Sequence, residues 1–483
     1  FRISFNSCCM MQSIHSNLKS IFFAGICGTG MASLAVLLKL RGHIVSGSDE
    51  NVYPPMSDFL AENNVSVHKG FSPKNLEQLP DLVVVGNAIS RGNPEVEAIL
   101  DLKIPYISMA ELLKEHFIRG KTSMVVTGTH GKTTTTSMLA WVFETAGKKP
   151  GFMIGGIAEN FGTSCRDGKG SFFITEGDEY DTAFFDKRSK FFHYLPEQLI
   201  LNNLEFDHAD IFNSLDEIKK AFRLMLRLIP KSGLIAANGD DPNVQAVLDS
   251  AHSPVIRFGF GEPCSVRADN IRTSASGTKF DVIDKRPGDF SQKQEFELNL
   301  AGKYNVLNAM GVITLARYNG IADRDLQEAF DSFKCVRRRQ ELRGEVNGIA
   351  VYDDFAHHPT AVRETVGAIR QKHPDRRLIA VFEPRSNTSV RRVNQDALID
   401  SLLDADEVIL TTPYRVEQIP SRDRLDVETV LNSLSKENVK ANYFPDVTGI
   451  VEHLKNNCSF GDIVLIMSNG KFGNIHQRLL DAL

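Results

Sequence analysis

Short, dense apolar runs alternate along this chain with stretches whose apolar residues recur at helical spacing. Ile21–Ala24, Ile44–Ser46 and Leu82–Val85 are the first such runs, and Met31–Leu40 is the first helical stretch. Phe172–Thr175, Leu199–Asn202 and Leu234–Ala237 repeat the pattern, as do Ile349–Tyr352, Leu378–Phe382, Glu407–Leu410 and Ile463–Met467 further on. Compact apolar runs bounded by turn signals read as strands covered on both faces. Their alternation with helices predicts α/β domains built on parallel sheets. A polar, β-prone stretch around residues 255–300 interrupts the rhythm.

The rhythm divides the chain into three α/β parts, expected at residues 18–119, 120–333 and 334–483 and joined by tight turns. A length of 483 residues fits three domains at roughly 150 residues each. Residues 1–17 carry little pattern and are expected to be a disordered extension, with Met10 or Met11 as the true start. The uncharged segment Ile21–Leu38 imitates a membrane span, but Gly25, Gly28 and Gly30 interrupt it. It reads better as strand, glycine turn and helix.

Composition narrows the function. The hydrophobic share of 42% and charged share of 24% are those of a soluble globular protein, and the net charge of −5 carries no nucleic-acid or membrane footprint. Seven cysteines without a C-x-x-C pair indicate neither a disulfide scaffold nor a zinc ribbon, and point to a reducing, cytoplasmic setting.

The chemistry concentrates at Gly128-Thr129-His130-Gly131-Lys132-Thr133-Thr134. This run follows the apolar Met124–Val126 and opens the helical stretch Ser137–Thr145. A glycine loop between strand and helix turns successive amides toward one point at the positive end of the helix dipole. That point suits phosphate, with Lys132 against the terminal phosphates and the Thr133 hydroxyl on Mg²⁺. The spacing G-x-x-G-K-T is a contracted form of the longer phosphate-loop pattern. ATP is the expected ligand.

Gly25-Ile26-Cys27-Gly28-Thr29-Gly30 follows the first strand, and Asp49 ends the second, nearly a dinucleotide fingerprint. Ser33 stands where its third glycine belongs. The turn suits any diphosphate nucleotide, a UDP-sugar included, and a nicotinamide dehydrogenase is the rival reading. Downstream of the ATP loop, Glu176 and His208 follow strand-like runs. In an open sheet such strand ends converge on the ligand, so Glu176 and His208 join Thr133 as candidate Mg²⁺ ligands. Asn305 and Asn308 share a helix face able to read adenine, or Asn305 simply caps that helix. Arg337-Arg338-Arg339 precedes Tyr352-Asp353-Asp354-Phe355-Ala356-His357-His358-Pro359, and brings cationic charge to a domain boundary.

Taken in order, these motifs resemble the Mur ligases of peptidoglycan assembly, from about Ser20 to the C-terminus. The resemblance implies a Rossmann-like N-terminal domain, a P-loop ATPase centre and a Rossmann-like C-terminal domain. It implies a monomer that joins small molecules by ATP-driven amide synthesis through an acyl phosphate. Residues 176–190 and 202–210 are most similar to the member that joins UDP-N-acetylmuramate to a preformed tripeptide, L-alanyl-γ-D-glutamyl-meso-diaminopimelate. The L-alanine-adding member is the alternative. On this pattern Lys132, Glu176, His208 and Arg339 are catalytic, and Asn305, Asn308, Asp354 and His357 hold adenosine. Gly28, Thr29, Gly30, Ser48 and Asp49 hold UDP, Asn87 lies near the sugar, and Arg385 takes the peptide's carboxylates. Tyr304 stands where many members have His, and Arg223 where some carry a carbamoylated Lys.

Overall fold

The computed structural model describes residues 18–54, 56–207, 211–286 and 293–483. His208 and the 1–17 extension therefore lie outside the described residues. Two compact units emerge. One takes the chain through Lys121 together with Ser164–Asp167 and Asp178–Leu195, and the other takes Thr122–Thr163, Gly168–Gly177 and Pro196–Leu483.

The first unit carries a five-stranded sheet in the spatial order Ser66–Lys69, Ile44–Asp49, Ser20–Ala24, Leu82–Val85, Tyr106–Ser108. All four pairings are parallel. The order reverses at Ser20–Ala24, the switch point where doubly wound sheets open a ligand crevice. Phe22, Ala24, Val83 and Val85 pack on one face with Val96, Ile99 and Ile104. The edge strands Ser66–Lys69 and Tyr106–Ser108 were not expected from the sequence, because neither carries a compact apolar run.

The second unit holds two sheets. The first is ordered Lys293–Leu298, Gly277–Asp284, Val266–Ser274, Val255–Gly259, Leu234–Asn238, Gln198–Leu201, Thr122–Thr127, Phe172–Glu176, Gly151–Ala158. Thr122–Thr127 runs parallel to both Gln198–Leu201 and Phe172–Glu176. The polar 255–300 stretch resolves into one strand, Val255–Gly259, parallel to its neighbours, and then antiparallel pairings at the edge, where one face meets solvent and alternation replaces solid apolar runs. The helix Lys303–Tyr318 packs its buried Val306, Met310 and Ile313 into the core under this sheet.

The other sheet runs Glu341–Val346, Ile349–Asp354, Ile463–Met467, Leu378–Phe382, Glu407–Thr411, Lys440–Phe444, parallel except for the first pair. Its four central strands are buried on both faces and separate two apolar clusters. The expected strands Ile349–Tyr352, Leu378–Phe382, Glu407–Leu410 and Ile463–Met467 all lie here, most of them within a residue or two of their ends.

Candidate active site

Thr122–Thr127 delivers the phosphate loop, and the helix Lys132–Thr145 leaves it. The helix begins at Lys132, five residues ahead of the expected Ser137, so Lys132, Thr133 and Thr134 occupy its first turn. Gly131 is the N-cap at φ +80, without a side-chain cap, which leaves the first-turn amides to an anion. A Cβ at Gly131 would sit 2.5 Å from Asn308 Oδ1, and one at Gly128, φ +128, 3.0 Å from the Asn203 backbone. Both glycines are needed for conformation and for space. Lys132 Nζ donates to the Gly128 carbonyl at 2.8 Å and the Thr129 carbonyl at 3.2 Å, folded over the loop that it would neutralise.

Thr133 Oγ1 donates to Glu176 Oε2 at 2.9 Å, so the two expected cation ligands stand together. Glu176 ends the strand next to the loop strand, in the parallel register Val126 to Glu176. Gly155 makes the room. A Cβ there would lie 2.1 Å from Glu176 Oε1. The sequence offered no sign of Gly155's role, since the contact joins two strands far apart in the chain. A hydroxyl and a carboxylate on facing elements are a hard oxygen donor set of the kind Mg²⁺ takes, so the residues present fit that ion.

Asn305 and Asn308 are buried behind the loop. Asn305 Nδ2 donates to the Ala301 carbonyl at 2.8 Å, and Asn202 Nδ2 donates to Asn308 Oδ1 at 3.3 Å. Gly302, at φ +99, caps the helix, so the capping role weighed for Asn305 is not what the structure gives it. Tyr304 lies beside Gln340, whose amide donates to its hydroxyl. Arg223 instead donates to the Ala246 carbonyl and approaches Asp249, an exposed structural pairing.

The three arginines part company. Arg337 pairs with Glu159 at 2.6 Å, and Arg338 with Asp353 at 3.3 Å. Arg339 lies over the Phe355 ring, 5.4 Å from its centroid, beside Arg338 at 5.2 Å, and its charge acts on Asp354. Asp354 accepts the Gln340 and Ala356 amides at 2.8 Å each, and burial raises its carboxyl despite Arg339. Burial likewise lowers His357, whose Nδ1 lies 3.0 Å from the Phe355 carbonyl. Asp207, buried in the segment after Gln198–Leu201, accepts the Thr388 hydroxyl at 3.0 Å. Arg385 lies over Tyr414, 3.8 Å from the ring centroid, and pairs with Glu383 at 3.4 Å. Gly470 leaves the space that its guanidinium fills.

In the first unit, Gly25 turns at φ +85, and Gly28, Thr29 and Gly30 form the start of an uncapped helix. Asp49 Oδ2 accepts the Cys27 amide at 2.9 Å, which braces the turn from the second strand. Ser48 is turned inward. Its hydroxyl donates to Glu95 at 2.5 Å, and its carbonyl accepts the Gly25 and Ile26 amides. Glu95, wholly buried, also takes the Asn75 amide at 2.6 Å, an anchor the sequence did not reveal. Asn87 stays exposed near the end of Leu82–Val85.

A glycine loop that leads from a strand flanked by parallel neighbours into a helix opening on Lys132 and Thr133 is an arrangement suited to phosphate. Three family models match in sequence order: "Mur ligase family, catalytic domain" at residues 20–120, "Mur ligase middle domain" at 126–316, and "Mur ligase, glutamate ligase domain" at 338–470. The chain belongs to the Mur ligase family, whose members are ATP-dependent enzymes that form amide bonds. It is 44% identical over 96% of its length to the UDP-N-acetylmuramate–L-alanyl-γ-D-glutamyl-meso-2,6-diaminoheptandioate ligase of Escherichia coli, covering 98% of that protein. It is 33% identical to the UDP-N-acetylmuramate–L-alanine ligase of Clostridium botulinum, over 96% of the chain and 98% of the relative. The crystal structure of a murein peptide ligase from Psychrobacter arcticus aligns with TM-score 0.72 at 37% identity, covering 96% of this chain and 98% of that one. Among the described residues no helix is long and apolar enough to cross a membrane.

Proposed function

We propose that this chain joins UDP-N-acetylmuramate to the preformed tripeptide L-alanyl-γ-D-glutamyl-meso-diaminopimelate, converting ATP to ADP and phosphate, as a cytoplasmic monomer. The observation that carries the choice of peptide is the identity gap. Full-length similarity is 44% to a tripeptide ligase and 33% to an L-alanine ligase.

A carboxylate resists attack because its leaving group would be oxide. Transfer of the γ-phosphoryl group to the lactyl carboxylate makes an acyl phosphate. The peptide's free amine then adds to the carbonyl, loses a proton, and expels phosphate from the tetrahedral intermediate. The protein's task is positioning and charge neutralisation. Gly128–Thr134 would present amides to the phosphates, with Lys132 as a point charge. Asn305, Asn308, Asp354 and His357 would hold adenosine, and Arg339 would bring a cation from the third domain. Thr133, Glu176 and His208 would hold Mg²⁺, which supplies charge neutralisation at the phosphoryl oxygens when bound. Gly28, Thr29, Gly30, Asp49 and Asn87 would hold the UDP-sugar. Ser48 would act through the turn that its carbonyl braces.

The test offers the purified chain equal concentrations of tripeptide and L-alanine with ATP, Mg²⁺ and UDP-N-acetylmuramate. Product forms from the tripeptide, and ADP release depends on both acceptor and donor. A clear preference for L-alanine would move the chain to the alanine-adding activity and leave its ATP chemistry intact.

A further inference from the structure

The imidazoles of His130 and His358 have no part in the phosphoryl transfer described above, yet they converge. His130 Nε2 lies 3.3 Å from Glu205 Oε2, and His358 Nδ1 lies 3.8 Å from the same oxygen. The two rings sit 4.6 Å apart, tilted by 37°. One ligand atom from each of the three residues falls within 4.8 Å of the others. They come from three separate places: the phosphate loop, the segment after Gln198–Leu201, and the residue that caps the helix Pro359–Lys372.

We propose that His130, Glu205 and His358 form a transition-metal site of the zinc class, distinct from the Thr133–Glu176 cation pair, which ties the phosphate loop to the third domain. Two imidazoles and one carboxylate are a donor set that zinc takes with a fourth position left open. Zn–N lengths of about 2.0–2.1 Å imply ligand-to-ligand edges of roughly 3.3 Å in a tetrahedron, so the two histidine–carboxylate pairs need to close by about half an ångström at most, and the two imidazoles, within 4.8 Å, by about 1.5 Å at most. A second layer is already in place. Thr360 Oγ1 donates to Glu205 Oε2 at 2.6 Å. Outer partners of this kind hold a metal ligand's orientation.

Magnesium prefers all-oxygen shells, so it competes poorly here.

The experiment uses the metal-stripped full-length chain without nucleotide, titrated with zinc by calorimetry and with Co²⁺ by visible absorption. The parent should bind one zinc tightly in the presence of excess Mg²⁺, and Co²⁺ should give the intense bands of a four-coordinate site. His358→Asn keeps an acceptor at the helix cap, and Glu205→Gln keeps a hydrogen-bonding side chain, so neither removes a structural prop. Each should weaken zinc by at least the roughly 10–100-fold that loss of an outer-shell partner costs. Glu176→Gln should bind zinc like the parent. Equal zinc affinity in the parent, His358→Asn and Glu205→Gln would overturn the site. So would loss of zinc in Glu176→Gln, which would assign the ion to the phosphoryl-transfer pair. The measurement reads metal and not turnover, so its outcome is separable from that of the ligase assay.

Discussion

Gly155→Ala tests the cation site through a residue that touches no substrate. The new Cβ would lie 2.1 Å from Glu176 Oε1, 2.9 Å from its Cδ and 3.2 Å from Oε2, where real Cβ contacts stop near 3.0 Å. The carboxylate must therefore retreat by about 1 Å, away from the Thr133 hydroxyl that it accepts at 2.9 Å. Misplacement of that size in a positioned reacting group costs roughly 10²-fold in rate, about 2.7 kcal/mol at 1.36 kcal/mol per decade. Gly155 is not among the positive-φ residues, so Ala adopts its backbone without strain, and the effect comes from the contact alone. The neighbouring Gly156→Ala is the control. Its Cβ would meet Val336 Cγ1 at 2.5 Å, an apolar clash remote from the carboxylate. Steady-state ADP release, with Mg²⁺ titrated at saturating substrates, should show Gly155→Ala with lower kcat and a higher Mg²⁺ requirement. Gly156→Ala should lose Tm with a near-parental Mg²⁺ titration. A Gly155→Ala enzyme that keeps parental kcat and the parental Mg²⁺ midpoint would refute the reasoning.

Lys132→Ala removes a charge from the phosphate loop and leaves the core untouched, so ADP release should fall by roughly 10²–10³-fold or more with Tm unchanged. Near-parental ligation would remove Lys132 from the phosphates. Arg385→Ala removes a guanidinium already held over Tyr414, and the tripeptide KM should rise about 10- to 100-fold, with the ATP KM little changed. Glu407 is buried and takes Asn442 at 2.7 Å, His453 at 2.9 Å and Lys440 at 3.2 Å. Burial by itself would raise its carboxyl, but His453, Lys440 and Arg377 hold it below its ordinary value. A depressed carboxyl stabilises the fold above its unfolded pKa, and that contribution is lost as pH falls below about 4.5. Glu407→Gln should therefore lower Tm at pH 7 and flatten the acid limb of the Tm–pH curve, and an unaltered limb would count against the pairing.

The sequence by itself determined what depends on neighbours along the chain. The Gly128–Thr134 loop needs a glycine at φ +80 to enter its helix, and its strand, loop and lysine are contiguous, so it was legible before any fold was known. The central strands were legible too, because burial on both faces demands solid apolar runs. Ser66–Lys69, Tyr106–Ser108, Gly151–Ala158, Glu341–Val346 and Lys440–Phe444 were missed. They are edge strands or irregular in burial, and hydrogen bonding to a neighbour, not apolar content, makes them strands. Only the tertiary structure decided that Ser48 turns inward to Glu95, and that Gly155 opens the space for Glu176. Only it paired Arg337 with Glu159 and Arg338 with Asp353, set Arg338 and Arg339 over Phe355, and gathered His130, Glu205 and His358. These pairs lie far apart in sequence, and no periodicity encodes them. They exist because parallel strands and crossover helices bring distant strand ends to one edge of a sheet.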